Sequence, residues 1–293
     1  MTDKIKKIVI PVAGYGTRFL PFTKSIPKEM LPIIDRPVIQ YIVEEAVAAG
    51  IEEVILITGY SKRAIEDYFD YNLELEYLLD GKGKTAEKKL IRDISDIAKF
   101  IYVRQKEQLG TGHALLQVKE LINDEPFMVV SGDDIWQGSP SRLELLRDTY
   151  HKYQAPTLLT LERSNPTDYD KYGYVKTGEQ LDDKTWTVTD FIEKPGQAHA
   201  HMVDQATFIG YVLTPDIFPL LENLQPGKGG EIWMTDAIHQ LARQRQVVAV
   251  NGGHLNYYDC GNKMDYLKAV TEFGLKREDI GEEFRNYLKN LNL

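Results

Sequence analysis

The sequence predicts an α/β fold built on a mixed, mostly parallel central sheet flanked by helices. Three observations carry that prediction. Short β-branched runs alternate with helical patterns through the first half of the 293 residues. The runs Ile8-Val9-Ile10, Val54-Ile55-Leu56-Ile57 and Phe127-Met128-Val129-Val130 are apolar at every position, as parallel strands covered by helices on both sides must be. The second half breaks into further strand-like runs separated by Pro, Gly, Asn and Asp, which punctuate a sheet.

In chain order, residues 7–13 read as the first strand, 38–49 as a helix, 53–58 as a strand and 62–69 as a helix. Residues 100–104, 113–121 and 127–131 continue this βαβ punctuation into a doubly wound sheet. The stretch 72–95 is charged, carries Gly81-Lys82-Gly83-Lys84, and reads as an exposed, mobile excursion. A helix at 142–150 precedes strands at 157–162, 174–176, 187–193 and 207–213, and helices at 263–276 and 282–291 close the chain. With 43% hydrophobic content this length suits one domain spanning residues 1–293.

The 35 Lys and Arg against 44 Asp and Glu leave a net charge of −9. That sign repels a polyanionic duplex and argues against nucleic acid, but not against a small anion, which needs only a local cluster of donors. Cys260 is the one cysteine, so neither an intrachain disulfide nor a Cys-rich metal site can form, in keeping with a reducing, cytoplasmic setting. The apolar run 8–13 is too short for a signal peptide and lacks a small-x-small cleavage pattern. No apolar stretch approaches the roughly 20 residues that span a bilayer, so a soluble chain without membrane contact is expected.

Directly after the first strand comes Gly14-Tyr15-Gly16-Thr17-Arg18-Phe19-Leu20-Pro21, with Lys24 and Lys28 following and no acid before Glu29. Glycines let the backbone turn its N–H groups toward an anion, and Arg18 and Lys28 add charge where a pyrophosphate leaving group develops it. Gly-x-Gly alone is weak, since it recurs at Gly81, Gly110 and Gly227; its place after strand one carries the weight, against the plain alternative of a strand-to-helix turn. A dinucleotide loop would need Gly or Ala at Phe19 and an acid where Thr58-Gly59 stands. A P-loop ending at Gly83-Lys84-Thr85 would need glycine at Leu78.

Asp133 lies just beyond the strand 127–131, at the carboxyl end where open α/β sheets place ligands. Asp259 ends the strand-like run Leu255-Asn256-Tyr257-Tyr258. Asp133-Asp134 also fits a solvated turn, or the Asp-rich metal motif of a glycosyltransferase, which leaves the basic loop unexplained. Glu193-Lys194-Pro195 follows a strand that Pro195 stops, so the two charged side chains should emerge on opposite faces; a surface salt bridge is the competing reading.

The phosphate loop, followed by Pro27-Lys28-Glu29-Met30-Leu31-Pro32-Ile33, resembles the signature of the sugar-nucleotide pyrophosphorylases, most narrowly their bacterial UTP:glucose-1-phosphate uridylyltransferase branch. The resemblance runs almost end to end, through Arg104-Gln105-Lys106-Glu107-Gln108-Leu109-Gly110-Thr111-Gly112-His113-Ala114, Gly132-Asp133-Asp134, Glu193-Lys194-Pro195, Gly229-Gly230-Glu231-Ile232 and Tyr258-Asp259-Cys260-Gly261. It implies a Rossmann-like nucleotidyltransferase core, UTP and glucose 1-phosphate as substrates, Mg²⁺, and a homodimer or homotetramer. The nucleotide-binding half would cover about residues 1–135, the sugar-phosphate half about 136–260 and the C-terminal helices about 261–293.

By the same resemblance Arg18, Lys28 and Asp133 are catalytic, and Asp133 and Asp259 hold the metal. Ala13, Gly14, Gly16, Thr17, Glu29, Gln105 and Gly110 meet the nucleotide. Gly173, Glu193, Lys194 and Glu231 line the sugar-phosphate pocket. Two glycines at Gly110-Thr111-Gly112 allow close approach of a planar base, and a helix start capped by Thr111 accounts for them equally well.

His199-Ala200-His201 reads as a solvated loop rather than a metal pair, His113 as a packing or capping residue, and Cys260 as a small buried filler. Tyr68, Phe69, Tyr71 and Tyr77 read as packing or subunit interface. The chain departs from the family pattern at Tyr15, at Ser131 where Leu is common, and at Trp233-Met234 where Gln-Leu is common; the Trp233 ring bears on the choice of sugar or on a partner surface. Two other functions stay open: a sister enzyme using dTTP or another hexose 1-phosphate, and a non-catalytic sugar-nucleotide-binding regulator. Retention of Arg18, Lys28, Asp133, Lys194 and Asp259 argues against the regulator.

Overall fold

In the computed structural model, which describes residues 4–163 and 165–291, the chain begins with β1 (Lys7–Pro11), the small hairpin β2 (Pro32–Ile33) and β3 (Arg36–Pro37), α1 (Val38–Ala48), β4 (Glu53–Thr58) and α2 (Arg63–Phe69). Then come α3 (Leu73–Gly81), α4 (Thr85–Ser95), β5 (Lys99–Arg104), α5 (Thr111–Leu116), α6 (Lys119–Ile122), β6 (Phe127–Val130) and β7 (Asp134–Gln137). The second half holds α7 (Arg142–Tyr153), β8 (Thr157–Leu161), β9 (Gly173–Asp182), β10 (Thr185–Glu193) and β11 (Gln205–Leu213). It ends with α8 (Ile217–Asn223), α9 (Met234–Gln244), β12 (Val248–Asn251), β13 (Asn256–Asp259), α10 (Lys263–Lys276) and α11 (Gly281–Lys289).

One nine-stranded sheet runs through both halves in the order β5-β4-β1-β6-β11-β8-β12-β10-β9. Parallel ladders join β5 to β4, β4 to β1, β1 to β6 and β8 to β12. The ladders around β11, β10 and β9 are antiparallel. Along β1 the side chains alternate between two cores, as a period of two demands. Ile8 and Ile10 pack with Val38, Ile39, Ile42 and Val43 of α1, while Val9 packs with Leu115, Leu221 and Ile238 on the other face. Helices on both faces make the sheet doubly wound.

The stretch 72–95 is not a loose excursion: it forms α3 and α4. Asn72 starts α3 by accepting from the Leu75 amide at 3.0 Å, and Arg92 reaches across to Glu76 at 2.9 Å. Charge density hid helices that ion pairs and a cap hold together. The helix expected at 113–121 is split in two, α5 and α6, and the strands expected at 174–176 and 187–193 extend into the longer hairpin β9–β10. No expectation covered β7, α8, α9 or β12. Among the described residues, no helix is long and apolar enough to cross a membrane.

Candidate active site

Parallel pairing of β1 with β6, in the register Ile8 to Met128 and Val9 to Val129, puts the carboxyl ends of both strands on one sheet edge. The basic loop leaving β1 and the Gly132-Asp133 turn leaving β6 therefore meet. The Asp259 backbone arrives by a second route: β13 pairs antiparallel with β7, and Asp259 stands opposite Asp134. The Cys260 amide then donates to the Asp133 carbonyl at 2.9 Å. Asn262 fixes the exit from this turn by capping α10, accepting from the Met264 amide at 2.9 Å.

At this junction Lys28 Nζ donates to Asp133 Oδ2 at 2.7 Å, and Arg18 Nη1 to Asp259 Oδ2 at 3.2 Å. Ser131, at a departure from the family pattern, donates its hydroxyl to Asp133 Oδ1 at 2.6 Å. Gly261 stands between these groups. A Cβ there would lie 2.4 Å from Asp133 Oδ2, 2.5 Å from Arg18 Nη2 and 2.9 Å from Asp259 Oδ1, so only hydrogen fits. Both carboxylates thus share one small patch with two cations.

Burial pushes the Asp133 carboxyl up, but the Lys28 ammonium, with the Ser131 hydroxyl and Arg18 behind it, brings it below its ordinary value. Asp259 is raised by burial and by the charge of Asp133, against the pull of Arg18. Asp134, fully enclosed beside both, is raised well above the carboxylate range. Three crowded acids of which two resist ionisation are a setting that a divalent cation relieves. Among the described residues no group of three or more His, Cys, Asp or Glu side chains converges to hold a metal. Two carboxylates with phosphate oxygens and water completing an octahedron is a donor set of the Mg²⁺ kind.

The cleft beside this patch has a volume of about 450 Å³, and its walls include Arg18, Lys28, Asp133, Asp259, Gly173, Glu193 and Lys194. Tyr172, Phe208, Tyr257 and Trp233 supply an aromatic lining, and of these only Trp233 was singled out from sequence. Glu193 and Lys194 do not emerge on opposite faces. Lys194 takes a left-handed backbone with φ 46°, which breaks the strand alternation, and its Nζ sits 3.4 Å from Glu193 Oε1. Glu231 is not among the residues lining the cleft. It lies against Gly110 instead, because Ile232 is drawn inward by bonds from its amide to the Leu109 carbonyl and from the Gly112 amide to its own carbonyl, both 2.8 Å.

Ala13, Gln105 and Gly110 gather where the loops leaving β1 and β5 meet. Gln108 Nε2 donates to the Ala13 carbonyl at 2.7 Å, and Gln105 Nε2 to the Gly110 carbonyl at 3.2 Å. His113 holds the Gln105 amide at 2.9 Å, a positioning contact. Gly110 has φ 99°, and a Cβ there would strike the Ile232 carbonyl oxygen at 2.5 Å. Thr111 does not cap its own helix; its hydroxyl accepts from the Met234 amide at 3.2 Å, the first amide of α9. Gly14 and Thr17 are exposed and Gly16 half-buried. Glu29 is fully buried and receives Lys62 Nζ at 2.8 Å; that enclosure raises its carboxyl, so it underpins the loop instead of facing the cleft.

Cys260 is fully buried, and burial raises its thiol. Tyr68 and Phe69 pack edge to face, with Phe69 stacked on Phe100. Tyr77 is exposed, and Tyr71 lies beneath the Arg92 guanidinium.

Residues 7–274 match the family model described as nucleotidyl transferase. A UTP–glucose-1-phosphate uridylyltransferase of Staphylococcus saprophyticus is 44% identical over 291 residues, covering 99% of each chain. A crystal structure of a UDP-glucose pyrophosphorylase complexed with UDP-glucose is 42% identical, with a TM-score of 0.83 over 94% of this chain and 100% of the other. A UTP-bound enzyme of the same kind from Acinetobacter baumannii is 38% identical, with a TM-score of 0.87 over 99% of this chain and 100% of that one.

Proposed function

The chain belongs to the nucleotidyl transferase family, and from that premise we propose that it transfers the uridylyl group of UTP to glucose 1-phosphate, forming UDP-glucose and pyrophosphate. A phosphate oxygen of the sugar phosphate attacks the α-phosphorus of UTP and forms a new P–O bond. The α–β anhydride bond breaks, and its electron pair leaves with pyrophosphate. No protein nucleophile is required, in keeping with the enclosed Cys260. Positioning and charge neutralisation then carry the catalysis.

The observation that supports this most directly is the convergence of Arg18, Lys28, Asp133 and Asp259 at one sheet edge, on the wall of the cleft that also holds Lys194. In this reading Asp133 and Asp259 would hold Mg²⁺, which when bound supplies positive charge at the phosphate oxygens. Arg18 and Lys28 now neutralise those carboxylates and are the groups that turn to the departing pyrophosphate. Lys194 takes the phosphate of the sugar phosphate, and Glu193 the sugar hydroxyls beside Gly173. Ala13, Gly14 and Gly110 offer backbone groups, and Gln105 its amide, to the uracil edge; Gly16 and Thr17 serve the phosphates. One domain over residues 1–293, a cytoplasmic location and a homodimer or homotetramer complete the proposal.

Pyrophosphate release measured over four nucleoside triphosphates and several hexose 1-phosphates tests it. UTP with glucose 1-phosphate should be the fastest pair. Equal turnover of dTTP or of another hexose would point to a sister enzyme, and no release with any pair would leave only binding.

A further inference from the structure

Lys194 leaves β10 in a left-handed backbone that a side chain seldom adopts, held by its amide donating to the Tyr172 carbonyl at 3.2 Å, and that turn brings its ammonium back beside the strand end. Two groups face the ammonium: the Glu193 carboxylate at 3.4 Å and the ring of Trp233, whose centroid lies 4.6 Å from Nζ. The two act differently on an incoming phosphate. A carboxylate restrains the lysine but repels the anion that the lysine is there to bind. The negative face of an indole attracts the ammonium without bearing a net charge, so it restrains the lysine without repelling the anion.

Trp233 is also tied down. It stands immediately before α9, between Ile232, whose amide and carbonyl are bonded to Leu109 and Gly112, and Met234, whose amide donates to the Thr111 hydroxyl at 3.2 Å. The segment Ile232-Trp233-Met234 therefore straps the loop on the nucleotide side to the lysine on the sugar-phosphate side. We propose that Trp233 is a positioning residue for the transfer reaction, holding the Lys194 ammonium where the phosphate of the sugar 1-phosphate arrives. This rests on the reading of Lys194 as a ligand of that phosphate. It also gives a role to the aromatic ring that departs from the family pattern at this position.

The test is steady-state kinetics of the whole enzyme with both substrates varied, for Trp233→Phe, Trp233→Leu, Trp233→Gln, Lys194→Ala and the double variant Trp233→Leu/Lys194→Ala. Trp233→Gln places the residue common in the family, so a ringless variant is available should Trp233→Leu not fold. Ringless variants should raise KM for glucose 1-phosphate about 3- to 10-fold, leave KM for UTP as in the parent, and lose the effect in the Lys194→Ala background. Trp233→Phe, which keeps an aromatic face, should stay near the parent. Phe and ringless variants behaving alike, both KM values rising together, or the full effect persisting without Lys194 would each overturn the role. If Lys194→Ala itself leaves KM for glucose 1-phosphate unchanged, the assignment of Lys194 falls and the role of Trp233 with it. If Lys194→Ala raises that KM while the ringless variants are silent, only the role of Trp233 falls.

Discussion

The Lys28 ammonium lies 2.7 Å from Asp133 Oδ2, joining the basic loop after the first strand to the acid turn after β6. Burial alone would push that ammonium down, but Asp133 and Glu29 raise it above its ordinary value. It therefore stays charged throughout the physiological range and is a permanent counter-ion for Asp133.

Replacing Asp133 by Asn should lower kcat by on the order of 10²- to 10³-fold, with Mg²⁺ at saturation failing to restore it. Pyrophosphate release across a Mg²⁺ titration measures this. Near-parental turnover at high Mg²⁺ would overturn the proposal that Asp133 holds a metal.

Gly261→Ala should abolish most activity without unfolding the chain. The added methyl meets Asp133 Oδ2 at 2.4 Å and Arg18 Nη2 at 2.5 Å. Both belong to side chains, so the fold can yield while the Asp133 and Arg18 side chains move. A displacement of about 1 Å is enough for a loss of roughly 10²-fold. Turnover compared with thermal melting separates the two effects, and an alanine variant of parental activity would contradict the close approach.

Far from the cleft, Asp182 at the β9–β10 turn accepts from Lys152 Nζ at 2.7 Å, Tyr153 Oη at 2.6 Å and the Lys184 amide at 3.0 Å. Burial raises its carboxyl, and these bonds together bring it far below the usual carboxylate range. A depressed folded value means stabilisation that is complete above the unfolded value of about 3.9 and lost as pH falls from there through the folded value. Solvent screens this exposed turn, so Asp182→Asn should lower stability at pH 7 by no more than about 1 kcal/mol, and the gap to the parent should narrow once the pH drops below about 3.9. Paired denaturation curves from neutral to acid pH check the sign. A gap that widened toward acid would refute it.

Much of the fold was legible because its signals are local. The all-apolar runs in β1, β4 and β6 announce strands buried on both faces, and the basic loop that carries Arg18 and Lys28 stands directly after the first of them. The helices α3 and α4 were missed because their stability comes from a cap and from ion pairs such as Arg92 with Glu76, which look like a solvated charge run. The strand β7 was missed because Asp133-Asp134 at its start also fits a solvated turn, whereas its partner β13 lies far along the chain.

By itself the sequence determined the alternation of strands and helices, the chemistry of the basic loop and the presence of acids at strand ends, since each depends on neighbours within a few residues. Tertiary structure decided that Asp133 and Asp259 share one patch, because that depends on strand order and on the β7–β13 register. It decided too that Lys194 turns back toward Glu193 and rests against Trp233. The left-handed backbone there is held by a bond from the Lys194 amide to the Tyr172 carbonyl at 3.2 Å, a contact between separate strand ends that no local pattern encodes.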